Sequence, residues 1–218
     1  AVANAKKMGF HRWEFYVGYE ESTAEKRRLL WWKLYNYEKA STMKKGFFSV
    51  IDDATVNCLL PKIFRNFGYL DRVEFLENIQ KPMDLSVFSD VPISVLCKYG
   101  ELALTIVTSE FHEKFLYADR YTSIRNSAKP PTLKNQLIKE IVDGIAYTET
   151  SYEAIRKQTA KLWDIALGKV TKDKINKEDT AAASKFTLSY EYHRFRLINM
   201  ADNLIARLMV KPKSDWLI

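Results

Sequence analysis

Glycine and proline are scarce in this chain, with seven and six residues in 218. Glycine stands at about half of its ordinary usage. Turn-rich sheets and glycine phosphate loops both need more, so the shortage favours helices and disfavours nucleotide enzymes. Cysteine is rarer still. Cys58 and Cys97 stand alone with no CxxC spacing, which predicts two buried or free thiols in a reducing compartment rather than a disulfide frame or a zinc site. No apolar run approaches the roughly 18 residues of a membrane span, so no transmembrane helix is expected. Histidine is limited to His11, His112 and His193. Glu110-Phe111-His112 and Glu191-Tyr192-His193 echo each other, but a spacing of two puts Glu and His on opposite sides of a helix. A di-iron bundle needs Glu-x-x-His, so no metal is expected there. HExxH, GxSxG and GxxxxGK[ST] are absent, and the acid pairs Glu20-Glu21 and Asp52-Asp53 read as caps or solvated side chains. No catalytic residue and no cofactor is expected.

What is present is apolar, aromatic and basic. Hydrophobic residues make up 47% of the chain and aromatics 13%, enough for a real core and for contact surfaces besides. Lys+Arg number 34 against 27 Asp+Glu, for a net charge of +7 and a pI near 9.2. That excess suits an acidic partner: RNA, an anionic membrane surface or an acidic subunit. The start lacks a signal-peptide core and an initiator Met, consistent with Met removal, trimming or the mature end of an imported protein. The expected setting is an intracellular reducing compartment, the cytoplasm or an organelle matrix such as the mitochondrial one.

Periodicity predicts an all-α fold: three long helices over about 92–119, 131–168 and 177–210, a shorter one over 22–42, and small helices within 50–80. Residues 1–20 carry Lys6, Lys7 and Arg12 among Phe10, Trp13, Phe15 and Tyr16, and read as an extended basic-aromatic arm. Residues 21–218 read as a single domain, with a weak subdivision near 80–91. Ser22 and Glu25 form a capping-box pattern, after which Leu30, Leu34, Tyr37 and Ser41 make a row, with Trp31 and Tyr35 beside it and Trp32 pointing elsewhere. Asp52 or Asp53 is expected to cap a helix running to about Leu60. Pro61 starts another that Gly68 stops, and Asp71 opens one to about Ile79.

The 131–168 helix shows the cleanest seam: Leu137, Ile141, Ile145, Thr148, Tyr152, Ile155, Thr159, Leu162 and Ala166, at steps of four and three. In the closing helix Phe186, Tyr190, Leu197, Ala201, Leu204 and Leu208 stack on one face. A second row (Leu188, Tyr192, Phe195, Ile205, Met209) widens the apolar arc, so this helix is expected to be enclosed by protein. Its polar line is thin, running through Lys185, Arg196 and Arg207.

Two sets of contact residues follow. Lys26, Arg27 and Arg28, the loop lysines Lys169, Lys172, Lys174 and Lys177, and Lys185, Arg196 and Arg207 are candidate contacts for an acidic partner or nucleic acid. The loop's four lysines against Asp173 leave a net +3. Phe10, Trp13, Phe15, Tyr16, Trp32, Trp216, Leu217 and Ile218 are candidate subunit contacts. The function expected from these features is a structural or accessory subunit packed into a larger assembly. The alternative is an all-helical nucleic-acid-binding protein, nucleocapsid-like or ribosome-associated.

Overall fold

In the computed structural model the chain is described over residues 1–45, 49–81, 91–116, 131–169 and 177–209. The helices are α1 (Val2–Lys7), α2 (Glu21–Lys45), α3 (Lys62–Asn66), α4 (Arg72–Asn78), α5 (Ile93–Phe111), α6 (Pro131–Lys169) and α7 (Lys177–Met209). Short 3₁₀ turns lie at Trp13–Tyr16 and Asp53–Thr55, and α5 runs on into a π-helical turn, His112–Leu116. Among the described residues there is no strand, as expected of an all-α chain.

Pro92 presets the first turn of α5, where its missing N–H costs nothing. From Leu102 to Ser109 every residue that follows is buried. Leu96, Tyr99, Ala103, Leu104, Ile106 and Val107 are all sealed from water, so α5 must be surrounded. It packs on α6 and α7 along one flank and on α2, α3 and α4 along the other. The helix at the centre of the fold is therefore α5 and not the closing helix. In α7 the first apolar row is buried, joined by His193 and Met200, while Leu188, Phe195 and Met209 of the second row stand in solvent. This 33-residue helix packs one face against α5 and α6.

The seam of α6 passes unbroken through Gly144, and Leu137, Ile141, Thr148, Tyr152, Ile155, Thr159 and Leu162 are buried along it. Two glycines let aromatic rings seat between helices. A Cβ at Gly100 would overlap the Phe186 ring, and one at Gly144 would overlap the Phe115 ring.

The first twenty residues are not extended. Ala3 and Ala5 favour a helix, and Lys6 and Lys7 lie at its C-terminal end where cations suit the dipole. Gly9 then reverses the chain at φ +84°, and Phe10 and Tyr16 enter the core with the Tyr16 hydroxyl donating to the Phe10 carbonyl at 2.7 Å. The His11 carbonyl accepts from the N–H groups of Asn57 and Cys58, which pins the segment to the body.

Helix α2 begins at Glu21, and its buried face differs from the expected leucine row. Trp31, Trp32 and Tyr35 are sealed, whereas Leu30 and Tyr37 are exposed. The aromatic side chains bury more area per residue than leucine, and Arg28, Glu38 and Lys39 accompany them inward because each finds a partner. Glu25 is occupied with Arg28, Arg65 and the Lys62 N–H instead of closing a capping box. Asp52 caps only the short turn Asp53–Thr55, its carboxylate accepting from the Ala54 N–H at 3.0 Å. Asp71 does cap α4 as the spacing predicts, accepting from the Glu74 N–H at 3.0 Å. Cys58 and Cys97 are free and buried.

Candidate functional site

Four separate stretches of sequence bring charge to the interior between α2, α4 and α5. Asp53 sits at the centre, 2% exposed. Lys39 of α2 reaches its Oδ1 at 3.0 Å, and Arg72 of α4 stands 3.5 Å from its Oδ2. The Tyr35 and Ser109 hydroxyls donate to the same Oδ2 at 3.1 and 2.6 Å. Lys39 also donates to the Ile51 carbonyl at 2.7 Å and pairs with Glu113 of the π-turn at 3.4 Å. Arg72 closes the cluster on Glu110 at 2.8 Å. Burial works against ionisation of Glu110, but Lys114 and Arg72 outweigh it and hold the carboxyl below its usual range. The Tyr35 phenol is pushed far up, first by burial and then by the Asp53 charge. Lys39, Asp53, Arg72 and Glu110 are turned on one another, which makes the cluster a structural clasp.

On the other flank of α5 the fully buried polar contacts are neutral. Thr108 Oγ1 lies 2.5 Å from the Tyr152 hydroxyl and 2.7 Å from His193 Nδ1, and donates to the Leu104 carbonyl at 2.7 Å. A hydroxyl beside a histidine resembles an activated nucleophile. Burial excludes that reading: Thr108 and Tyr152 are fully sealed and His193 nearly so, so no substrate can reach the hydroxyl. The same burial lowers the His193 pKa to about 4. His112 falls to about 3, through burial first and then the charges of Lys39, Arg196 and His193. Gln158 bridges further, accepting from the Tyr99 hydroxyl and donating to the Ile79 carbonyl, both at 3.1 Å.

The outer surface holds a cleft of about 650 Å³ between α6, α7 and the end of the α4 region, lined by Gln80, Glu149, Glu153, Lys157, Tyr190 and Arg194. Arg156 holds the Glu153 carboxyl down to about 2, so it is ionised throughout the neutral range and offers no general acid. Among the described residues no cluster of His, Cys, Asp and Glu is grouped to hold a metal ion, and no helix is long and apolar enough to cross a membrane.

The predicted contact residues are scattered by the fold. Arg28 is buried and paired with Glu21 and Glu25, and Trp32 is sealed with its indole N–H donating to the Leu59 carbonyl at 2.8 Å; both are thereby removed from any outer surface. Phe10 and Tyr16 are core residues, and Phe15 packs on Phe10 with centroids 4.6 Å apart. Trp13 stays more than half exposed. Lys26 is exposed, and Arg27 stacks on the Tyr19 ring at 4.1 Å. Lys185 pairs with Glu101 at 3.0 Å, and Arg196 donates to the Met43 carbonyl. Lys169 and Lys177 end α6 and begin α7, and their side chains lie outside the described residues, as does that of Arg207. Lys172, Lys174, Trp216, Leu217 and Ile218 lie outside them altogether. The buried clasp, conversely, escaped the apolar-row reading. Its signal was Lys39, four residues after Tyr35 on the same face as Trp31, a charge where the pattern calls for an apolar residue.

Residues 1–154 match the model of a family described as "Fungal specific transcription factor domain". Over 219 aligned residues the chain is 44% identical to Transcription factor PDR1 of Saccharomyces cerevisiae, covering 100% of this chain and 20% of that protein. It is 32% identical over 123 residues to Transcription factor TOG1 of the same organism, covering 56% of this chain and 15% of that protein. The chain thus spans about a fifth or less of the length of these curated relatives. No solved structure matches it. These matches overturn the expectation of a structural subunit in a larger assembly, and with it the nucleocapsid-like or ribosome-associated alternative. The likeness runs through 154 of the 218 residues, and the chain belongs to the fungal-specific transcription factor domain family.

Proposed function

We propose that this domain serves a nuclear transcription factor as a regulatory body that works through protein contact rather than by reading DNA bases itself. The names of PDR1 and TOG1 support the nuclear setting, in place of the cytoplasm or an organelle matrix, and family membership supports a non-enzymatic role. One observation carries the choice between DNA and protein. Among the described residues Arg28, Lys39, Arg65, Arg72, Arg156 and Lys185 are paired with acids of the same chain, which withdraws these cations from contact with phosphates. The lysines that do remain outward on α2 are interleaved with leucine and tyrosine, which suits a protein surface.

Two measurements on the chain test this. Titrated with fluorescent duplex DNA at about 50 and about 200 mM salt, it binds no more tightly than the ordinary non-specific range of roughly 10⁻⁴–10⁻⁶ M. Tethered to a heterologous DNA-binding domain upstream of a reporter, it changes transcription, and Asp53→Ala abolishes the change. Tight DNA binding with a steep salt dependence, or a tethered chain without effect, overturns the proposal.

A further inference from the structure

Helix α2 turns two kinds of surface in opposite directions. Inward lie the tryptophans and the buried charges. Outward, at about 100° per residue, Lys26, Leu29, Leu30, Lys33, Tyr37 and Lys44 fall within an arc of roughly a third of the helix circumference. All six are exposed; Tyr37 keeps 75% of its surface in water and Leu30 49%. Leu30 and Tyr37 are seven residues apart and form one apolar line, and Lys26, Lys33 and Lys44 run beside it, between that line and Leu29. None of the helix's carboxylates enters this arc. Glu21 and Glu25 are turned aside to Arg28 and Arg65, and Glu38 is buried, accepting from the Val50 N–H and the Ser49 hydroxyl. Among the described residues Lys26, Lys33 and Lys44 have no ion pair, whereas the inward-facing Arg28 and Lys39 of the same helix each have one.

We propose that the outer face of α2 is a docking surface for an acidic amphipathic helix, a peptide segment whose apolar ridge lies along Leu30 and Tyr37 while its carboxylates flank it toward Lys26, Lys33 and Lys44. The inference rests on the reading of the domain as a protein-contacting regulator and names the chemistry of its partner. Charge complementarity selects the occupant. A second copy pairing through the same face sets lysine against lysine, which costs affinity. Duplex DNA satisfies the lysines but leaves Leu29, Leu30 and Tyr37 against phosphates, where their burial gains nothing. An acidic helix satisfies both the apolar line and the lysines beside it.

The probe is a fluorescein-labelled designed helix about five turns long, with leucine and phenylalanine at i, i+3, i+4 and i+7 and glutamates on either side, titrated into the 218-residue chain. It binds, more weakly as salt rises. Lys33→Glu weakens it by about tenfold or more, Tyr37→Ser by a similar factor, and a peptide with lysines for glutamates recovers binding to the Lys26→Glu/Lys33→Glu chain. These positions are solvent-exposed, so the variants keep the fold, which circular dichroism verifies. A scrambled peptide of the same composition binding equally well overturns the proposal, as does indifference to Lys33→Glu. It is likewise overturned if the substitutions abolish binding to anionic phosphatidylserine vesicles or duplex DNA but spare the peptide, or if they change self-association instead. Failure here leaves the tethered-reporter result untouched, so the two readings fall separately.

Discussion

On the flank of α5 that faces α2 and α4, the polar contacts that cross the interior carry full charge; on the flank that faces α6 and α7, they are neutral. The difference follows from what each flank has to hold. Helices α6 and α7 are 39 and 33 residues long and bury continuous apolar rows, so their hydroxyl, amide and imidazole contacts only fix register. The other flank collects a 3₁₀ turn, two helices of 5 and 7 residues and the connections between them, none of which is stable alone. Lys39, Asp53, Arg72 and Glu110 tie these pieces to α2 and α5. Buried charge of this kind adds little net stability over an apolar replacement, yet losing one member leaves its partners uncompensated.

The sharpest way to break the comparison is Asp53→Ala. It removes the buried counter-ion that Lys39 and Arg72 share and leaves them only the less buried Glu113 and Glu110, and the expected loss is about 3–5 kcal/mol in urea unfolding. Thr108→Val, the matching change on the neutral flank, removes hydrogen bonds without leaving a charge behind, at a cost of about 1–3 kcal/mol. Equal losses in the two variants would abolish the distinction between the flanks.

His193 gives the neutral flank a pH dependence, and His112, within reach of the Lys39 charge, adds to it. His193 is held to a folded pKa of about 4 and His112 to about 3, both below the ordinary 6.5. A depressed histidine pKa means the unfolded chain takes up the proton first. Stability is therefore full above about pH 6.5 and declines as pH falls from there toward 4, by about 1.4 kcal/mol per pH unit for each histidine. Unfolding midpoints between about pH 7 and 5, above the range of most carboxylates, isolate this effect. His193→Gln lessens the slope in that window; an unchanged slope would remove His193 as its source.

The two flanks were also unequally legible. The seam of α6 and the first row of α7 could be read because a long helix repeats its buried position many times, so Leu137 through Leu162 and Phe186 through Leu208 reinforce one another. Helix α2 could not be read the same way. Its inner face mixes Trp31 and Tyr35 with Arg28 and Lys39, and a search for apolar rows settles on Leu30, Leu34 and Tyr37, two of which face water. The rule that leucine goes in and lysine stays out fails where a partner far along the chain neutralises the lysine, and Asp53 lies 14 positions away on an aperiodic turn. Of the expected acidic-partner residues, Lys26 alone lies on the free face of α2 now proposed for that role; Arg28, beside it in sequence, points inward, because two positions on a helix are about 200° apart.

Gly100→Ala sharpens the comparison from the neutral side. The added methyl meets the buried Phe186 ring, and overpacking of a fixed α5–α7 contact costs about 1–3 kcal/mol. Gly100 is helical with φ in the ordinary range, so the change also gains about 1 kcal/mol of helix propensity, and the measured loss is smaller than the steric cost. Phe186→Leu in the same chain removes the overlapping ring atoms. The double variant is then more stable than the sum of the single changes allows, and additivity in a double-mutant cycle would show that the ring does not rest on this glycine.

The smallest effect comes from a charge on the surface of the charged flank itself. Arg27 lies on α2 next to Arg28 but stacks outward over Tyr19 at 4.1 Å, with the Phe15 ring at 5.5 Å. Its guanidinium stays accessible to water, so the contact is screened and worth about 0.5–1 kcal/mol. Arg27→Ala removes that and some covering of the two rings, with no charge stranded behind it. The midpoint of urea unfolding therefore moves by a fraction of the shift that Asp53→Ala produces, while the slope stays the same because the core is untouched. Arg27→Lys recovers part of the loss, since an ammonium keeps the cation but not the planar stack. A loss at Arg27 as large as that at Asp53 would mean that burial and pairing are not what separates the strong charges of this fold from the weak ones.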